Sequence, residues 1–76
     1  MRVRVRIDTL SDANDFVNAV SNVLEPVYLV IGSHDIKVSG KSLFGVAHAS
    51  EFDDIWCECA RDIYTRIEKF VITGEQ

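Results

Sequence analysis

Gly40-Lys41-Ser42-Leu43-Phe44-Gly45-Val46 decides how this chain is read. Ser42 suits a helix N-cap, because its hydroxyl can accept from backbone amides one turn on. Leu43, Phe44, Val46 and Ala47 supply the apolar content of a short helix over residues 41–49. A helix of two turns cannot bury Leu43, Phe44 and Val46 together, so either an exposed apolar patch or plain core packing follows. Gly45 would let another backbone approach closely, or would simply weaken the helix.

The flanking residues give this segment its place. Upstream, Val27–Ile31 is a β-branched and aromatic run, Gly32-Ser33-His34-Asp35 has turn chemistry, and Ile36-Lys37-Val38 returns, which predicts a hairpin. Residues 2–7 alternate strictly, with Val3, Val5 and Ile7 on one face and Arg2, Arg4 and Arg6 on the other. That is a strand buried on one side. Ala13, Phe16, Val17, Val20, Val23 and Leu24 then form a helical stripe, with Ser11 or Asp12 as the expected N-cap and Pro26 as the stop. Downstream, residues 54–60 read as a strand and residues 61–73 as a helix carrying Ile63, Ile67, Phe70 and Val71 on one face. The order β-α-β-β-α-β-α predicts an α+β fold with antiparallel strands and helices on one face. A split βαβ arrangement with an added C-terminal helix also satisfies it.

Seventy-six residues predict a single domain, 1–76, near the lower size limit for a self-sufficient core. The composition, 47% hydrophobic and 26% charged, fits a compact globule rather than a disordered chain. No apolar run approaches the roughly 20 residues of a membrane span, and the alternating N-terminus lacks the h-region of a signal peptide. A cytoplasmic location with no membrane association is therefore expected. The net charge of −4 argues against nucleic acid as a partner. Cys57 and Cys59, two apart on a predicted strand, point to the face of Ile55 and read as small core hydrophobes. Neither histidine has the spacing of a zinc motif, so no metal or cofactor is expected.

The Lys41-Ser42-Leu43-Phe44-Gly45-Val46 run and the order of elements around it resemble the HPr family, the small phosphocarriers of the bacterial sugar phosphotransferase system. The resemblance extends from Val3 to Ile72. It implies an open-faced β-sandwich, with a four-stranded antiparallel sheet and all helices on one side. Members carry a phosphorylated histidine at the start of the first helix, within Gly-Leu-His-Ala-Arg-Pro-Ala. The corresponding stretch here is Thr9-Leu10-Ser11-Asp12-Ala13-Asn14-Asp15, without histidine, arginine or proline. Ser11 and Asp12 mark the position of the missing phosphohistidine. Carboxylates there would repel an incoming phosphate. Asp12 is either an ordinary capping residue or a permanent charge in place of the phosphohistidine. Neither His34 nor His48 matches the motif position.

Ser42 matches the position of the regulatory serine that is phosphorylated in some HPr proteins. Leu43, Phe44 and Val46 match apolar residues that form the family's docking patch. The Arg2, Arg4 and Arg6 stripe would lie beside the strand of Glu58 and Trp56. It reads either as a solvated, charge-paired sheet face or as a docking site for an acidic or phosphate-rich partner. The expected function is a non-catalytic, HPr-like regulatory or protein-interaction domain. Its partners would be proteins, either phosphotransferase-system components or a transcriptional regulator, and the chain would be a monomer. The alternative is a phosphoryl carrier using a displaced acceptor such as Asp12, Ser11 or His48.

Overall fold

The computed structural model describes residues 1–72. Seven elements follow the predicted order: β1 (Arg2–Val5), α1 (Leu10–Val20), β2 (Val27–Ile31), β3 (Ile36–Ser39), α2 (Leu43–Ala49), β4 (Ile55–Cys59) and α3 (Tyr64–Ile67). A 3-10 turn, Glu68–Phe70, continues α3. The four strands form one sheet in the order β1-β4-β2-β3, and every neighbouring pair is antiparallel. Placing β4 between β1 and β2 excludes the split βαβ arrangement, which needs β1 inside the sheet. The fold is α+β, an HPr-like open-faced β-sandwich.

The helices cover one face of the sheet. Val5, Val27, Leu29, Ile31, Ile55, Cys57 and Cys59 point into that layer and are buried, as the period of two requires. Ala13, Phe16 and Val20 close it from α1, and Val46 and Ala49 from α2. Phe16 meets Phe70 edge-to-face at 5.3 Å, tying α1 to the 3-10 turn. No polar side chain among the described residues is buried in this core. No helix among them is long and apolar enough to cross a membrane.

Three boundaries differ from expectation. The N-cap of α1 is Thr9 and not Ser11 or Asp12: the Thr9 hydroxyl accepts from Asp12 N at 3.0 Å, and the Asp12 carboxylate accepts from Thr9 N at 3.3 Å. This reciprocal capping box satisfies two amides, whereas a cap at Ser11 would satisfy one. α1 also ends at Val20 rather than Pro26, because Ser21 turns its hydroxyl onto the Asn18 carbonyl at 3.0 Å. Val23 still reaches the core, but Leu24 is left 90% exposed.

The third difference is at the chain's end. The expected helix over residues 61–73 is one α-turn and one 3-10 turn, with Thr73 outside the described residues. Val71 instead bridges Val5, while Arg6 N donates to Phe70 O at 2.9 Å and Ile72 N to Arg4 O at 3.0 Å. Val71 and Ile72 are β-branched, and the exposed edge of β1 offers them ladder hydrogen bonds.

Candidate functional site

The start of α2 is held in place by every residue that precedes it. Gly40 N donates to Val27 O at 2.7 Å, and a Cβ at Gly40 would meet Val27 Cγ1 at 2.8 Å, so only glycine fits. Lys41 spans to the turn that follows α1, its ammonium donating to the Val23 carbonyl. Ser42 N donates to Ser39 O, and the Ser42 hydroxyl accepts from Gly45 N at 3.2 Å, making Ser42 the N-cap. Gly45 lies against β3, where an added Cβ would sit 3.2 Å from both Ser39 O and Val38 Cβ.

That contact fixes the rotation of α2 and sorts its apolar residues. Phe44 is 89% exposed and Leu43 39% exposed, while Val46 is fully buried. Val46 is therefore a core residue and not part of an exposed docking patch. Leu43 and Phe44 remain at the surface beside the exposed Ser42 hydroxyl. Lys41 is engaged with Val23, so it is not held in reserve as a partner for a phosphate on Ser42.

At the start of α1, Ser11 is exposed and takes part in no cap. Asp12 turns back onto the loop before α1, its Oδ2 accepting from Asp8 N at 3.2 Å as well as from Thr9 N. Asp15 pairs with Lys69 at 3.2 Å. These carboxylates are engaged in capping and ion pairing.

The histidines converge where no motif suggested it. His34, from the β2–β3 turn, and His48, from α2, flank the Phe52 ring at 4.7 and 5.6 Å between centroids. Phe52 is half-buried and packs against the core. Among the described residues, no group of three His, Cys, Asp or Glu side chains is placed to hold a metal.

On the open face of the sheet, Arg2 pairs with Glu58 at 2.9 Å and lies over the Trp56 ring at 4.6 Å. Arg4 donates to Asp53 O at 3.4 Å, and Arg6 sits beyond the end of β1. Asp54 accepts from Trp56 Nε1 at 2.8 Å, orienting the indole. Two further members of this face, Tyr28 and Lys37, escaped the sequence reading. The alternation of β2 places Tyr28 outward, but its stacking with Lys37 at 4.5 Å depends on the hairpin register. Cys57 and Cys59 are free thiols in the core. Burial above all, and then the neighbouring Cys59, pushes the Cys57 thiol up to about 12.

Among known proteins, no family model, no curated protein and no solved structure matches this chain.

Proposed function

We propose that this chain is a non-catalytic, HPr-like regulatory or protein-interaction domain that engages partner proteins through Leu43 and Phe44. The observation that carries this reading is Phe44, 89% exposed on a helix whose orientation is fixed by Gly40, Lys41, Ser42 and Gly45. An aromatic side chain on a fixed backbone has only two side-chain torsions to order on binding and makes an efficient anchor. Ser42 is the candidate switch. A phosphate on its hydroxyl would add charge one residue from the apolar anchor, changing which partners the patch accepts. The partners fitting the resemblance are phosphotransferase-system components or a transcriptional regulator, met in the cytoplasm by a monomer.

The capping role of Asp12 counts against the rival reading, a phosphoryl carrier with a displaced acceptor. An acceptor carboxylate needs a free oxygen and a metal beside it, whereas the Asp12 Oδ2 already accepts two backbone amides. Intact-mass measurement tests both readings. One incubation uses ATP with the HPr serine kinase, and the other uses phosphoenolpyruvate with the first enzyme of the phosphotransferase system. A stable adduct on Ser42 from ATP alone is expected. An acid-labile adduct from phosphoenolpyruvate would overturn the proposal in favour of the carrier.

A further inference from the structure

A stripe of rings leaves the α2 patch and runs down to the β2–β3 turn. Phe44 and His48 stand four residues apart on one face of α2, so their side chains are neighbours. His48 then meets the Phe52 ring at 5.6 Å, and Phe52 meets His34 at 4.7 Å. Phe44, His48 and His34 are exposed, while Phe52 is half-buried against the core. The far end is held in place, because the Ser33 hydroxyl is hydrogen-bonded to His34 Nδ1 at 2.9 Å. Charge along the stripe is one-sided. Residues 42–60 contain no lysine or arginine. Asp35 follows His34 and Glu51 precedes Phe52, and among the described residues neither carboxylate is in an ion pair. Asp53 is not counted with them, since the Arg4 guanidinium lies on its carbonyl at 3.4 Å. Arg2, Lys37 and Lys69 lie over the Trp56, Tyr28 and Phe70 rings, but no cation among the described residues covers Phe44 or Phe52.

We infer, resting on the reading of Leu43 and Phe44 as an interaction patch, that the whole stripe docks a basic amphipathic segment of a partner protein. Apolar side chains of the segment pack on Leu43 and Phe44. Its lysines and arginines lie over Phe52 and pair with Asp35 and Glu51. Rings and carboxylates that have no cations of their own are the complement of such a segment. Exposed ion pairs add little affinity, so the rings hold the partner while the two carboxylates select its sign. An acidic segment is the poorer occupant, because the same carboxylates repel it.

The probe is a fluorescein-labelled twelve-residue peptide of lysine and arginine with two leucines three residues apart, followed by fluorescence anisotropy at pH 8. Saturable binding is expected, weakened at least tenfold by Phe44→Ala. Asp35→Asn and Glu51→Gln should each weaken it several-fold, and at least tenfold together. Asparagine is chosen because residue 35 has a φ of 52°, which asparagine tolerates. Glu68→Gln removes the same charge from the 3-10 turn and should change binding less than twofold. A peptide with serine in place of every cation separates the two readings. If it binds as tightly and still depends on Phe44, the α2 patch stands and the inference falls. Equal weakening by Glu68→Gln and Glu51→Gln overturns the inference, because the peptide then reads only net charge. So does binding that survives Phe44→Ala, or the absence of saturable binding. Tighter binding of zwitterionic vesicles overturns it in favour of a membrane. Self-association without peptide, abolished by Phe44→Ala, overturns it in favour of a second copy.

Discussion

Gly45 of α2 presses against Ser39 of β3 so closely that a Cβ at residue 45 would lie 3.2 Å from the Ser39 carbonyl oxygen. That oxygen already accepts from Ser42 N at 3.2 Å, and Ser39 is fixed in register opposite Tyr28, so the strand has little room to yield. Gly45→Ala sets a gain in helix propensity of about 1 kcal/mol against an overpacking cost of about 1–3 kcal/mol. The cost should win, and Tm should fall by roughly 4–8 °C for each kcal/mol of net loss in a domain of this size. A rise in Tm on calorimetry would mean that α2 can slide without penalty, and that the placement of Phe44 is not rigid.

Phe44 and Val46 should respond in opposite ways to the same truncation. Phe44→Ala removes a side chain that is 89% exposed, so stability should stay within about 0.5 kcal/mol of the parent while partner capture is lost. Val46→Ala empties part of a fully buried site and should cost about 2 kcal/mol. Urea titrations of the two variants give both numbers. A large loss of stability in Phe44→Ala would show that the ring is structural.

How much of this was legible in the sequence depends on the range of the interaction involved. Residues 2–7 and Cys57 with Cys59 announce their faces through local alternation, and the structure keeps those faces. Ser42 as a cap was equally readable, since capping involves only the next three residues. The fate of Val46 was not readable, because it depends on the rotation of α2 set by Gly45 against β3, a tertiary contact. The same holds at residues 70–72, where pairing with the β1 edge replaces the helix that local periodicity favours. Lys37 joins the open face only through its register opposite Val30, which composition does not encode.

The capping box at Thr9 and Asp12 predicts a sharp contrast among neighbours. Thr9→Ala and Asp12→Ala should each cost about 1 kcal/mol, because each leaves a helix N-terminal amide without its protein acceptor. Ser11→Ala should be nearly neutral, since Ser11 is exposed and caps nothing. Thermal melts of the three variants decide it. A loss at Ser11 equal to that at Thr9 would move the cap to the position that the sequence alone favours.

Cys57 predicts an alkaline limit to stability. Its thiol titrates at about 12 in the folded chain against an ordinary 9.0, chiefly because burial disfavours the thiolate, with Cys59 adding to the effect. Above pH 9 the unfolded chain releases this proton while the folded chain retains it. The unfolded state then binds fewer protons, and stability must fall as pH rises. The contribution is fully present below pH 9 and is lost progressively between about pH 9 and 12, amounting to on the order of 4 kcal/mol at the upper end. Cys57→Ala should flatten the alkaline limb of the denaturation profile measured from pH 8 to 11, at some cost in stability near neutrality. The same burial should keep the thiol unreactive toward a disulfide reagent at pH 8 until denaturant is added. Rapid labelling of the folded chain, or an alkaline limb of equal slope in Cys57→Ala, would place Cys57 outside the core.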